Sequence, residues 1–292
     1  MRKKNIMLQT GLCLIFSILC LLIIFPFWLL VSASLSNESV LATQGYQIWP
    51  NPVDFSAYEF VFKNPDSILR AYGVTALFSL TTMILGVLLM AMVAYTLSRE
   101  HLKGRGVINF YLYFTMLFNG GLVPTYIIVA KYLGLNNSIW VYILPMLINP
   151  WYVFMIRTFF KGIPNEIIES SSIDGASEYR IFFQMIIPLS KPVLATVALF
   201  TFLTSWNDWY TALIYITDER LYSLQYLLQS VMENINMIKQ NQQAASMANM
   251  SDIPAETVRM AMAIVVAGPA LIVFPFFQKY FVKGLTVGGV KG

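Results

Sequence analysis

The sequence predicts an all-α membrane protein with six transmembrane helices and both termini in the cytoplasm, and three observations carry that prediction. Of 292 residues, 57% are hydrophobic and only 12% are charged, about half the charged share of soluble domains, and the mean hydropathy is +0.63. Six apolar runs are each long enough to cross about 30 Å of hydrocarbon. Lysine and arginine crowd into alternate connections between those runs. This composition excludes a soluble enzyme, a disordered chain and a nucleic-acid binder. The net charge of +4 reflects loop placement, not an acidic partner.

The first run, 11–33, carries no charge and follows the basic cluster Arg2, Lys3 and Lys4. Val31-Ser32-Ala33 would pass as a cleavage site, but signal-peptide apolar regions span only about 7–15 residues, so the run reads as a membrane helix. Cys13 and Cys20 fall on one face of it about 10 Å apart, too far for a disulfide, and read as packing residues. Further runs follow at 71–98, 107–130, 138–160, 193–217 and 258–278. The third is interrupted by Asn119-Gly120-Gly121 and Pro124, and Gly134-Leu135-Asn136-Asn137 closes it with turn chemistry.

With the N-terminus inside, the inner segments hold thirteen Lys and Arg and the outer segments six, which places both termini in the cytoplasm. The chain then divides into a cytoplasmic N-terminus (1–10), the first membrane helix (11–33), an outer loop (34–70), membrane helices two to four (71–160), a cytoplasmic loop (161–192), the fifth helix (193–217), a second outer loop (218–257), the sixth helix (258–280) and a cytoplasmic tail (281–292). The first outer loop should hold a short amphipathic helix around 58–62. The second should hold a helix over 221–232, followed by a mobile Gln, Asn, Met and Ala stretch. Four glycines from Gly284 onward suggest a flexible tail. No internal repeat is evident, which weighs against inverted-repeat secondary transporters.

Loop 161–192 is too long for a simple connection and is patterned like a folded element. Pro164 suits a first helical position, and Glu166 and Glu169 put negative charge where a helix dipole favours it. This helix runs to about Ile173. Asp174-Gly175 supplies a turn, Ser177 caps a second helix from about Glu178 to Met185, and Pro188 and Pro192 end it. Ile163, Ile167, Ile168 and Ile173 form an apolar patch on a segment facing water, and such a patch marks an interaction site. A helix pair lying on the membrane surface is the plainer alternative.

The run Glu166-Ile167-Ile168-Glu169-Ser170-Ser171-Ser172-Ile173-Asp174-Gly175-Ala176-Ser177, continuing to Met185-Ile186-Ile187-Pro188, resembles the EAA loop of permease subunits of bacterial ABC importers: Glu-Ala-Ala, three residues, Gly, nine residues, Ile-x-Leu-Pro. The spacing is intact, with Ser170 and Ser171 for the two Ala, Met185 for Ile and Ile187 for Leu. Phe118-Asn119-Gly120-Gly121-Leu122-Val123-Pro124, Ser205-Trp206-Asn207-Asp208-Trp209 and the ending Phe281-Val282-Lys283-Gly284-Leu285 are similar to carbohydrate-uptake permeases of the maltose-type second half. The resemblance implies a type I ABC importer permease in the bacterial cytoplasmic membrane. It implies four kinds of partner: a second homologous permease subunit, a cytoplasmic ATPase dimer, an extracytoplasmic solute-binding protein and a carbohydrate substrate. It also assigns ATPase coupling to Glu166, Glu169, Ser170, Ser171, Ile173, Asp174, Gly175 and Pro188, and suggests that the tail reaches the ATPase pair. The chain has no Gly-x-x-x-x-Gly-Lys-Ser/Thr, so ATP and Mg belong to the partner ATPase and no cofactor is expected on this chain.

Asp208 is the one acid deep in an apolar run. On a continuous helix it would stand about 24 Å above Pro192, where a lipid-facing acid costs about 2.5 kcal/mol or more. On such a helix Thr201, Thr204, Ser205, Asp208, Thr211 and Tyr215 share one face and Trp206 lies nearly opposite. That stripe reads either as interhelical glue or as a substrate pathway. Sugars offer hydroxyls to acids and amides and C–H faces to aromatic rings, which makes Asn207, Asp208, Trp209 and Tyr210 a sensible contact set. Together with Asn119, Gly120 and Gly121, where freed backbone must line a cavity or meet a neighbour, the candidate pathway comprises Asn119, Gly120, Gly121, Thr204, Asn207, Asp208, Trp209, Thr211 and Tyr215. With a single histidine, His101, and one intramembrane acid, no catalytic or metal constellation can be assembled. The sequence thus predicts an importer permease for a carbohydrate, most simply an oligosaccharide. The alternative is the same machine carrying a non-sugar solute such as an amino acid or polyamine.

Overall fold

The computed structural model describes residues 2–99, 102–240 and 255–288. Among them regular structure is helical, apart from one isolated bridge between Ser36 and Val53. Among the described residues three helices are individually long and apolar enough to span a membrane: Gln9–Ser34 (within α1, Arg2–Ser34), Pro65–Ser98 (α4) and Ala255–Gln278 (within α14, Ala255–Gly288). Three bent pairs pass the same test when each is taken as one span. They are Arg105–Leu117 (α5) with Leu122–Tyr132 (α6), bent by 118°; Trp140–Met146 (α7) with Pro150–Lys161 (α8), bent by 47°; and Glu178–Leu189 (α10) with Lys191–Trp206 (α11), bent by 81°. The chain therefore offers three to six spans.

The differences from the sequence reading have local causes. The break expected in the third run is present, with Asn119 accepting the Gly121 N–H at 2.8 Å to form the turn. The fourth run, expected to be continuous, breaks after Met146: the Asn149 side chain accepts the Trp151 N–H and Pro150 opens α8, the cap-plus-proline start that side-chain competition and ring geometry favour. The fifth run, expected to continue to Thr217, stops at Trp206 and restarts as Tyr210–Tyr215 (α12). Asn207 and Asp208, both good competitors for backbone groups, occupy that gap. The segments 34–70 and 218–257 hold the helices Glu38–Gln44 (α2), Ser56–Val61 (α3) and Leu224–Gln240 (α13). The Gln/Asn/Met/Ala stretch lies outside the described residues. The last described helix continues through Gly284 to Gly288, so the expected flexible tail does not begin at Gly284; residues 289–292 lie outside the described residues.

The chain packs as two compact units, Met1–Ile68 with Leu228–Gly268, and Leu69–Leu227 with Pro269–Gly292. In the first, Trp28 donates to the Ile48 carbonyl at 2.8 Å and Ser34 pairs with the Tyr58 hydroxyl at 2.9 Å. Glu38 receives the backbone N–H groups of Glu256 and Thr257, each at 2.9 Å, placing a carboxylate on the free donors at the start of α14. In the second unit, Phe78 stacks on Tyr142 with centroids 4.4 Å apart. A larger core gathers Met90, Ala94 and Leu97 of α4, Val153 and Ile156 of α8, and Val193 and Val197 of α11. At Gly86, α4 comes so close to the break after α7 that an added Cβ would sit 3.1 Å from the Leu147 carbonyl. The Asn149 N–H freed by that break donates to the Met90 sulfur at 3.4 Å, a freed group met by a neighbouring helix.

Candidate functional site

The loop 161–192 folds as a helical hairpin whose base belongs to the core of its unit. Its first helix, Asn165–Ile173 (α9), begins after Pro164 with Glu166 in the first turn. Gly175 then turns the chain at φ +78°, a left-handed conformation that costs a residue bearing a Cβ. Ser177 accepts the Arg180 N–H and so caps α10. One face of the hairpin is buried: Ile163, Ile168, Ile181, Phe182 and Ile186 join Met90, Ala94, Ile156 and Phe160 in the larger core, and Ile167 packs against it.

That packing corrects the expected isoleucine patch. Ile163, Ile167 and Ile168 turn inward, and Ile173 alone of the four stays out, 86% exposed. The reason is helical periodicity: Ile168 shares its face with Ser171, whereas Ile173 lies off that face at the tip. Ser171, grouped with the coupling residues, is 4% exposed. It donates to the Ile167 carbonyl at 2.6 Å and lies 2.9 Å from the Met185 sulfur, so it packs the two hairpin helices together and is not on the surface. Glu166, Glu169, Ser170, Ile173, Asp174, Gly175 and Pro188 are exposed. The tip is thus an acidic surface around one bare isoleucine, standing on a buried base.

A polar clasp, not read from the sequence, joins α10 to α4. Tyr95 donates to Glu178 at 2.5 Å, and Arg99 reaches the same carboxylate at 3.2 Å. The Tyr95 hydroxyl, and then Arg99, hold the Glu178 carboxyl below its usual range despite some desolvation. Beside it, Arg157 donates to the Leu97 carbonyl at the end of α4 and to the Asn109 side chain. No spacing rule links residues 79 and 83 positions apart, so only the fold could reveal this cluster.

Two adjoining cavities lie in the same unit. One, of about 410 Å³, is lined by Thr115, Asn149, Tyr152, Thr201, Thr204 and Ser205 among others; the second, of about 390 Å³, by Asn119, Gly121, Thr125, Tyr210, Thr211 and Tyr215 among others. Pro145 and Met146 are common to both walls. The polar stripe is therefore real along α11, where Thr201, Thr204 and Ser205 face one cavity. The break after Trp206 then hands Thr211 and Tyr215 to the other. Among the described residues no Lys, Arg, Asp or Glu lines either cavity; hydroxyls, amides and aromatic rings supply the polarity. Thr115, in the third run, carries no local signal, and Asn149 and Tyr152 escape any reading that leaves the fourth run unbroken. Pro145 and the Asn149-Pro150 pair are the signal that could have found them.

Asp208 does not join them. It is 8% exposed, its carboxylate accepts the Thr211 N–H at 3.0 Å to cap α12, and its carbonyl accepts the Ser223 hydroxyl at 2.8 Å. The helical wheel that aims it with Thr204 assumes a helix that ends two residues earlier. Trp206, set on the opposite face by the same wheel, is buried against Phe202 with ring centroids 5.5 Å apart. Asn207 is exposed, but its amide donates to Leu203 and accepts from Gln225. Trp209 packs edge-on against Tyr210, and neither it nor Gly120 lines either of these two cavities. Among the described residues no group of His, Cys, Asp and Glu could hold a metal.

Residues 10–287 match the family described as binding-protein-dependent transport system inner membrane component. The protein LplC of Bacillus subtilis (strain 168) is 38% identical over 92% of this chain and 90% of its own length. The polygalacturonan/rhamnogalacturonan transport system permease protein YtcP of the same organism is 35% identical over 98% of both chains. The fold is similar to a crystal structure of a bacterial ABC transporter involved in the import of the acidic polysaccharide alginate, with a TM-score of 0.78 and 27% identity over 95% of this chain and 98% of that one.

Proposed function

Since this chain belongs to the family of binding-protein-dependent transport system inner membrane components, we propose that it is the permease subunit that carries a saccharide through an ATP-driven importer, receiving it from an extracytoplasmic binding protein. Relatives named for polygalacturonan/rhamnogalacturonan, arabinooligosaccharides and galactooligosaccharides, and the alginate importer of similar fold, support a carbohydrate cargo. The cavities support it independently, because hydroxyls, amides and aromatic rings suit a polyhydroxylated solute. In this reading the chain crosses the membrane six times with both termini inside, as the distribution of Lys and Arg favours. Loop 161–192 faces the cytoplasm, and a second permease completes the channel.

The observation that carries the reading is the hairpin: an exposed tip of Glu166, Glu169, Ser170, Ile173 and Asp174 set rigidly on a base buried among α4, α8 and α11. A tip that moved freely could bind an ATPase but transmit little. A tip rooted in three helices converts closure of a separate ATPase pair into motion of the bundle, and the cargo path opens alternately to the two sides. The decisive experiment purifies the complex carrying Glu169→Lys. The expected result is a membrane-inserted chain that no longer retains the ATPase and no longer takes up labelled arabino- or galacto-oligosaccharides. Unimpaired ATPase retention and uptake would overturn the coupling role.

A further inference from the structure

We infer that Glu178, held by Tyr95 and Arg99, is a positioning residue that fixes the hairpin to the C-terminal end of α4, so that hairpin and α4 move as one body when the tip is pushed. The inference rests on the coupling role proposed above and goes further: it names the helix that receives the motion and the side chains that set the register.

The covalent route out of the hairpin passes Ser190, where α10 and α11 meet at an 81° bend. At that bend the axis of α10 does not continue into α11, so the chain connection does not carry a push on the tip along a straight helix. The route through space is better built. Ile181, Phe182 and Ile186 bury against α4 and its neighbours and root the hairpin, but apolar attraction is non-directional and does not by itself set the register. Direction comes from the carboxylate. It takes the Tyr95 hydroxyl at 2.5 Å and the Arg99 guanidinium at 3.2 Å, and both bonds are charge-assisted, the stronger class of hydrogen bond.

The donors are themselves held. The Tyr95 ring packs on Phe182 at 5.2 Å and edge-on against Phe160 at 6.4 Å, and the Arg99 guanidinium lies over that ring, 5.2 Å from its centroid. Glu178 opens α10 directly after the Ser177 cap, three residues from Gly175. The clasp therefore grips the hairpin at its tip end, where force would enter.

The test uses the assembled importer in lipid nanodiscs, in a Cys13→Ser/Cys20→Ser background, with nitroxides at Phe183→Cys on α10 and Ile84→Cys on α4, both exposed positions. In the otherwise native chain the distance distribution between them keeps its mean and width when ATP and vanadate trap the closed ATPase. In Tyr95→Phe and in Glu178→Gln it broadens about twofold, and only in the trapped state, because the clasp is needed when load is applied. A native distribution that shifts on trapping overturns the inference, as do variant distributions that stay narrow. Broadening already present without nucleotide also overturns it, by assigning the clasp a general structural role. A separate nitroxide at Ile173→Cys reports docking. If the ATPase does not immobilise it, the coupling reading fails and the clasp falls with it; if it is immobilised while the distances behave otherwise than expected, only the clasp falls.

Discussion

The Ser171 hydroxyl lies 2.9 Å from the Met185 sulfur, and these are two of the positions at which the loop departs from the EAA pattern, Ser for Ala and Met for Ile. The departures touch, so they are one change in packing rather than two. A hydroxyl that also donates to the Ile167 carbonyl carries no unsatisfied donor into the core, and a flexible thioether accommodates the added oxygen.

Ser171→Ala should therefore cost about 1 kcal/mol or less, since the lost hydrogen bond is local. Ser171→Leu should cost about 1–3 kcal/mol by overpacking a site that is 4% exposed. The detergent-solubilised midpoint of thermal unfolding measures both. Equal midpoints for the two variants would contradict the buried placement.

Gly175 stands at φ +78°, and nothing lies within 4 Å of where a β-carbon would sit, so a substitution there meets backbone strain and no clash. Gly175→Ala should destabilise by about 1–2 kcal/mol, and Gly175→Asn by clearly less, because Asn tolerates the left-handed region. Amide exchange at Asp174 through Ser177 would report the difference.

Asp208→Ala should behave as loss of a helix cap, lowering stability by about 1 kcal/mol, while Asp208→Asn retains most of it. Neither should alter the apparent KM for uptake of a labelled oligosaccharide. Thr204→Trp, which fills the larger cavity, should abolish that uptake without changing the melting midpoint much. A KM shift in the Asp208 variants would return that residue to the substrate path.

Glu38→Gln should weaken the start of α14, since the carboxylate serves the Glu256 and Thr257 N–H groups and the Thr257 hydroxyl. An effect of about 0.5–2 kcal/mol fits a capping carboxylate on a helix dipole. Faster hydrogen exchange confined to the first turn of α14 is the expected signature.

The Glu178 carboxyl is held below its ordinary value of 4.5, by the Tyr95 hydroxyl first. A carboxyl depressed on folding stabilises the fold above its ordinary value and loses that contribution as pH falls through the depressed one. The clasp should thus be complete at neutral pH and open only as pH falls below the ordinary carboxylate range. Tyr95→Phe should move that opening to higher pH, as seen in a pH titration of the width of the Phe183–Ile84 spin-label distance distribution in the ATP–vanadate-trapped complex.

Much of this is legible from residue order because it depends on local chemistry. Capping at Ser177, the glycine turn at Gly175, the extent of α9 and the break at Asn119-Gly120-Gly121 are each settled within a few residues, where dihedral preference and side-chain competition dominate. Wheel arguments fail at Asp208 because they assume an unbroken helix, and the Asn207-Asp208 pair ends it. The isoleucine patch goes astray for a related reason. Apolarity says that a side chain avoids water, but whether it meets its own bundle or a partner depends on which face the turn at Gly162 and Ile163 presents.

Order along the chain determined the membrane class, the apolar runs, the hairpin and the loop motif, since hydrophobic length and turn propensity act over short stretches. The tertiary structure alone decided that Thr115, Asn149 and Thr204 share a wall, that Ile173 is the bare residue of its patch, and that Tyr95 and Glu178, 83 positions apart, clasp. Those contacts depend on helices whose directions are set by distant packing, and no local preference encodes a direction in space.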